Sequence, residues 1–457
     1  MSSTSAYVEE NRERFLEELF TFLRIPSIST LPENRGDVRA AAQFVADGLR
    51  TVGLENVELI ETDGHPLVYA DWLHAPGKPT VLCYGHYDVQ PPDPMELWET
   101  PPFEPVVRDG KIYARGSADD KGQMYMHLKA VEALMRTTGK LPVNVKFLVE
   151  GEEEIGGKGV AAYVAANPEK LKADVALVSD TAMYAPGLPT LCVGLRGLIY
   201  TEVKMQGPAR DLHSGLYGGA APNPVFALIE LLSKAKDADG YIQIPGFYDD
   251  VEEPADVELE SWDSLPFNEA EFLTKEVGSK SLTGESNRRV LERVWSRPTL
   301  EVHGIAGGFT GAGAKTVIPA EATAKVSFRL VPRQDPDKIV ESFQHFLNNR
   351  CPAGVTVSLN VLSGGPAIVV NPDHPAIRVA AAAFASQFDR ETVFVRSGGS
   401  IPIVGDFATH LGIPTVLMGF GLPDDGLHSP NEKFAVENFY KGIQTVAQFL
   451  EQYGEMS

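Results

Sequence analysis

Cysteine is scarce in this chain of 457 residues: Cys83, Cys192 and Cys351 lie far apart in mostly apolar surroundings, with no Cys-x-x-Cys spacing. That excludes a disulfide framework and leaves three small core side chains. Long apolar runs are missing as well. No stretch approaches eighteen apolar residues, and Met1 to Glu10 is polar and acidic without an apolar h-region, so neither a membrane span nor a secretory leader is predicted. A cytoplasmic location is expected. Basic charge is in deficit, with 40 Lys and Arg against 62 Asp and Glu and a net charge of −22. Nucleic acid and anionic membrane surfaces are therefore excluded as partners. The same surplus of acid would attract divalent cations. Low-complexity segments are absent, and 43% apolar with 22% charged residues is the composition of a folded globular protein.

The length predicts two or three packed domains. Phe15, Leu16, Leu19, Phe20 and Leu23 have helical spacing up to Pro26, and Val38, Phe44, Val45, Leu49 and Val52 repeat it up to Gly53. Val81 to Tyr84 is a short apolar run that predicts a strand buried on both faces, followed by a turn at Gly85. Val57–Ile60, Val68–Trp72, Val175–Val178 and Pro414–Phe420 add strands, and Val143 to Val149 alternates apolar with polar residues as a half-exposed strand does. A helix is predicted over Met124 to Arg136. Strands separated by helices imply an α/β fold, a mainly parallel sheet with helices on both faces. Between Arg196 and about Val369 the texture changes to alternating strands, an acidic proline-bearing region and the glycine-rich turn Gly307–Gly313. This predicts an inserted α+β domain over 196–369, with the first domain formed by 1–195 and 370–457. Gly308 to Thr316 has an outline like a phosphate loop, but Lys315 is one position late, so nucleotide binding is not expected.

In a parallel sheet the site lies at the carboxyl ends of the strands. His86, Asp119, Glu153, Glu154, Asp180 and His428 all fall just after a predicted strand or in the loop leaving one. Asp88, two residues beyond His86 on the same face of extended chain, is placed to orient that imidazole. Two histidines with four carboxylates suit a pair of divalent cations, zinc foremost, with manganese and cobalt also compatible. One acid would bridge, each ion would take a histidine and a further acid, and the remaining acid is the candidate general base.

Nine blocks sharpen this reading: Gly85-His-Tyr-Asp-Val-Gln-Pro91, Gly116-Ser-Ala-Asp-Asp-Lys-Gly122, Glu150-Gly-Glu-Glu-Glu-Ile-Gly156, Ser179-Asp180, Arg210-Asp-Leu-His-Ser-Gly215, Lys315-Thr-Val-Ile-Pro319, Ser327-Phe-Arg-Leu-Val-Pro332, Gly398-Gly-Ser-Ile-Pro402 and Leu427-His-Ser-Pro-Asn-Glu432. In this order, over nearly the whole chain, they resemble the carnosinase and cytosolic non-specific dipeptidase branch of the co-catalytic zinc aminoacylase and carboxypeptidase superfamily. The resemblance implies that Asp119 bridges the two ions, that His86 and Asp180 hold one, and that Glu154 and His428 hold the other. It implies Glu153 as general base and a non-proline cis peptide at Asp119–Asp120. The inserted domain would be a dimerisation lid, carrying His213 and Thr316 to the partner subunit's site. Arg329 and the Gly399–Ser400 backbone would hold the terminal carboxylate of the substrate.

The expected activity is thus hydrolysis of dipeptides with a free C-terminal carboxylate by a homodimer. An N-acyl-amino-acid deacylase or carboxypeptidase of the same architecture is the alternative, and a non-catalytic dimeric binding protein a remoter one. In one respect the sequence departs from the branch. Dipeptidases of this kind tend to carry an aromatic residue after the metal-binding aspartate, whereas Thr181, Ala182 and Met183 precede Tyr184 here.

Overall fold

The computed structural model describes residues 2–399 and 401–456. The N-terminal helices follow the apolar spacing. Helix α1 (Ser3–Glu10) leads into α2 (Arg12–Leu23), which buries Phe15, Leu19, Phe20, Phe22 and Leu23 and stops before Pro26. Helix α3 (Arg35–Thr51) buries Val38, Ala41, Ala42, Val45, Ala46 and Leu49, a stripe of 3.6-residue period. Strands β1 (Glu55–Ile60), β2 (Leu67–Trp72) and β3 (Thr80–His86) follow, then α4 (Lys121–Thr138), β4 (Asn144–Glu150), α5 (Lys158–Ala166), β5 (Val175–Val178) and β6 (Thr190–Leu195).

The middle of the chain forms a separate antiparallel sheet from β7 (Gly197–Gln206), β8 (Thr299–Gly307), β9 (Glu321–Leu330) and β10 (Thr356–Gly365), in the order β8-β9-β7-β10. Burial alternates along β7, the mark of a sheet packed on one face only. The helices Pro224–Ser233 and Pro336–Arg350 supply the cover, joining Leu228, Leu231, Phe343 and Leu347 to Val203, Met205, Val326 and Phe328 of the strands.

The chain then returns through the helix Pro375–Phe388, the strand β11 (Thr415–Leu417) and the helix Val436–Glu455. The first sheet runs β1-β2-β4-β3-β5-β11-β6, parallel across its central four strands β4, β3, β5 and β11 and antiparallel at both flanks. Helices cover both faces: Gly85 looks toward Met124 of α4, whereas the preceding Tyr84 meets the edge of Phe407.

Contacts divide the chain into two compact units, Met1–Val193 with Val370–Val395 and Pro402–Ser457, and Gly194–Val369 with Arg396–Ile401. The return segment 396–401, expected with the first domain, thus goes with the second unit. Arg396 there makes a bidentate pair with Glu258 (2.9 and 2.8 Å), and Arg196 Nε donates to the Gly398 carbonyl at 3.1 Å. Two local expectations also change. Gly85 makes no turn but continues β3, and its missing side chain admits α4: an added Cβ would lie 2.5 Å from Met124 Cγ and 2.7 Å from Asp120 Oδ2. Strand β4 is buried on both faces rather than one, because it runs through the middle of a sheet that helices cover on both faces. Its Lys146 is accommodated by donating Nζ to the carbonyls of Lys170 and Lys172 at 2.6 and 2.7 Å.

Candidate metal centre

The parallel strands deliver the acids and imidazoles to one edge. His86 ends β3, Asp119 directly precedes Asp120 at the start of α4, and Asp180 follows β5 by two residues. Glu153 and Glu154 begin a single helical turn after β4, and His428 lies in the loop between β11 and the last helix, at a φ of +59°. The peptide Asp119–Asp120 is cis.

Asp119 stands at the middle. Its Oδ1 is 3.1 Å from His86 Nε2 and its Oδ2 is 3.0 Å from His428 Nε2, which also lies 3.2 Å from Glu154 Oε2. Ligand-type atoms of His86, Asp119 and Asp180 lie within 4.8 Å of one another, as do those of Asp119, Glu154 and His428. One carboxylate therefore serves two clusters, one oxygen toward each imidazole. The fully buried His86 has its Nδ1 3.0 Å from the Asp88 carbonyl and 3.4 Å from Asp88 Oδ1. With Nδ1–H donating to that carbonyl, the lone pair on Nε2 is aimed into the cluster, as metal ligation requires.

The electrostatics suit a cation. Burial opposes charge on His86, but Asp119 and Asp88 outweigh it and hold its pKa well above the ordinary range. Hydrogen bonds to Asp119 and Glu154 push His428 up to about 10. Burial also opposes ionisation of Asp119, yet the two imidazoles hold its carboxyl well below the usual carboxylate range. Asp180 goes the other way, pushed up to about 7 by burial and by Asp119. Burial pushes Glu153 up to about 9, against the pull of His86 and with repulsion from Asp180 and Glu154. Four carboxylates crowd two imidazoles, and a divalent cation is the group that relieves such crowding. Donor types, spacing and charge all fit divalent ions.

Supporting contacts come from Asp88 and from two residues, Gln90 and Glu432, to which sequence reasoning gave no role. The Asp88 carboxylate accepts from the backbone N–H groups of Glu153 and Glu154 at 3.3 and 3.2 Å, and Gln90 Nε2 donates to Glu154 Oε2 at 2.8 Å. Glu432 is wholly buried and accepts from Arg115 Nη1 (2.8 Å) and from the N–H groups of Gly116 (2.9 Å), Ala118 (2.9 Å) and Asp119 (3.1 Å). It fastens the loop bearing Asp119 to the loop bearing His428. Both Gln90 and Glu432 sit inside the blocks around His86 and His428, which was the available signal.

The remaining candidates belong to the second unit. His213 is exposed and pairs with Val317 across a short ribbon in which Ser214 N–H donates to the Thr316 carbonyl at 3.1 Å, so His213 and Thr316 are neighbours. Arg329, on β9, lines a cavity of about 430 Å³ with Arg196, His303 and Ser327. Gly399 N–H donates to Ser397 Oγ at 3.0 Å, and Ser400 lies outside the described residues.

The family model described as peptidase family M20/M25/M40 matches residues 82–452, a span that contains both clusters. The Cys-Gly metallodipeptidase DUG1 of Candida albicans is 36% identical over 98% of this chain and 96% of its own. The Beta-Ala-His dipeptidase of Homo sapiens is 29% identical over 98% and 92%. An M20 family metallo-carboxypeptidase from Sulfolobus solfataricus has the same fold, with a TM-score of 0.87 at 33% identity over 96% of this chain and 99% of that one. With candidate metal-ligand clusters at the strand ends and a match over most of its length, this chain belongs to peptidase family M20/M25/M40.

Proposed function

We propose that this chain is a metal-dependent dipeptidase holding two divalent cations, zinc foremost, with manganese or cobalt able to replace it. The observation that carries the reading is the Asp119 carboxylate, with one oxygen toward each of two histidines. On this reading Asp119 is shared, His86 and Asp180 complete one site, and Glu154 and His428 complete the other. Bound there, divalent cations supply a polarised peptide carbonyl and a water of lowered pKa.

The chain's own groups do the rest. Glu153, the acid not used as a ligand, takes the proton of the attacking water and returns it to the leaving amine. Asp88 fixes the His86 ring and, through two backbone N–H groups, the turn that carries Glu153 and Glu154. Arg329 and the Gly399–Ser400 backbone receive the terminal carboxylate, and the partner subunit's His213 and Thr316 meet the developing oxyanion. A homodimer is supported by the apolar side chains that the second unit exposes, among them Leu216 (77%), Phe226 (73%), Ile229, Ile305 and Phe309. The scarcity of cysteine suits a reducing, cytoplasmic compartment. Among the described residues no helix is long and apolar enough to cross a membrane.

The carboxypeptidase relative from Sulfolobus solfataricus favours a second reading, release of a C-terminal residue from longer or N-blocked substrates. Metal-stripped protein given zinc, manganese or cobalt is tested on free dipeptides, longer peptides and N-acetylated amino acids. Cleavage confined to free dipeptides is the expected result; cleavage of only the longer or blocked compounds transfers the assignment to the second reading. Glu153→Gln should bind metal as the parent does and lose turnover by roughly 10²–10⁴-fold. Undiminished turnover removes Glu153 from the mechanism.

A further inference from the structure

Three loops meet behind the two clusters, and one side chain touches them all. Gln123, in the first turn of α4, is 3% exposed. Its Nε2 donates to the Ala118 carbonyl at 2.8 Å, beside Asp119, and to the Thr181 carbonyl at 3.2 Å, beside Asp180. Its Oε1 accepts from Phe420 N–H at 2.7 Å, in the segment that leaves β11 toward His428. The partners fix the orientation of the amide, since two carbonyls need donors and one N–H needs an acceptor.

The loops are also pressed together directly. Met183 N–H donates to the Gly421 carbonyl at 2.8 Å, and a Cβ at Gly419 would stand 2.0 Å from the Thr181 oxygen. Close approach here brings Asp180 and the His428 segment beside Asp119, where the carboxylates repel one another. A carboxylate at position 123 offers no proton to the two carbonyls, and an apolar side chain offers nothing to any of the three groups. Among side chains of this length, a neutral amide meets all three demands.

We propose that Gln123 is a positioning residue that sets the spacing of the two cation sites, an inference that rests on the reading of both clusters as ligands of divalent ions. It touches no reacting atom and acts through the loops of Asp119, Asp180 and His428.

The test uses the full chain, metal-stripped, as parent, Gln123→Leu and Gln123→Glu. Each is titrated with Zn²⁺ against a chromophoric chelator, and thermal melting reports folding. Groups that orient metal ligands typically govern about 10–100-fold in metal affinity, so each variant should bind Zn²⁺ that much more weakly, with kcat lowered at saturating Zn²⁺ and KM for a dipeptide nearly constant. Gln123→Glu keeps the length and the Phe420 acceptor, and decides the matter should Gln123→Leu not fold. Zn²⁺ affinity and kcat within about twofold of the parent in a folded variant would overturn the proposal. So would failure of both variants to fold, which would make Gln123 a stability residue only. A parent that binds no Zn²⁺ overturns the reading of the clusters themselves.

Discussion

Replacing Glu432 by alanine should be among the costliest single substitutions in the first unit. The change leaves Arg115, 1% exposed, as a buried cation without its carboxylate, and removes the acceptor of three backbone N–H groups. Breaking one side of a buried ion pair costs about 3–5 kcal/mol, and each stranded buried donor about 1–3 kcal/mol. Water entering the vacated space recovers part of the second sum, so a total near 5 kcal/mol is expected. At roughly 2–4 °C per kcal/mol for a large domain, melting of the first unit should fall by about 10–20 °C. Arg115→Met should cost less, about 2–3 kcal/mol, because the carboxylate keeps its three amide donors. Arg115→Met combined with Glu432→Ala removes both charges and should be milder than the sum of the two single losses, giving a coupling of at least about 1 kcal/mol. Calorimetric melting and urea unfolding of the four proteins form the cycle. A Glu432→Ala protein within about 1 kcal/mol of the parent, or strictly additive single losses, refutes the reasoning.

Gly85→Ala drives a methyl group to 2.5 Å from Met124 Cγ and should cost about 1–3 kcal/mol by overpacking; Met124→Ala in the same chain should restore part of the melting temperature, and no rescue would place the strain elsewhere. Burial pushes Glu150 up to about 8. Its folded form therefore keeps a proton that the unfolded chain releases at about 4.3, and the stability this gives is lost as pH rises through 8. Metal-free parent should weaken between pH 5 and 8 by up to about 1.4 kcal/mol per pH unit more steeply than Glu150→Gln, and equal slopes in urea titrations would dismiss the idea. On the proposed homodimeric reading, Phe226→Asp, at a side chain 73% exposed on the second unit, should shift sedimentation from dimer to monomer while leaving the melting of the first unit unchanged. A dimer undisturbed by that charge puts the interface on another face.

The gathering of the candidate ligands was legible in part because two of them, His86 and Asp180, follow strands whose apolar runs announce themselves. Val81–Tyr84 marks β3 and so places His86, and Val175–Val178 marks β5 and so places Asp180. Helical stripes such as Val38 to Leu49 read equally well, since period and burial are local properties. What stayed hidden depends on neighbours that no local pattern names. Lys146 looks like a solvent-facing residue until two distant carbonyls receive it. Gly85 looks like a turn until α4 comes to rest on it. Glu432 reads as one more surface acid in an acidic chain, and its burial follows only from the Arg115 loop folding around it. The placement of 396–401 was equally beyond reach, because its partners Arg196 and Glu258 lie far away in sequence.

The fastening of the Asp119 loop by Glu432 also bears on how the protein is made. A ribosome delivers His86, Asp119 and Asp180 early, then the whole of Gly194–Val369, and only later His428 and Glu432. Until those last residues emerge, the amides of Gly116, Ala118 and Asp119 have no acceptor and Arg115 has no counter-ion. A prematurely terminated chain would therefore own most of the candidate metal ligands yet be unable to seal the loop that carries Asp119. Such a product should stay open to proteases, so that completion of synthesis and closure of the centre become a single event.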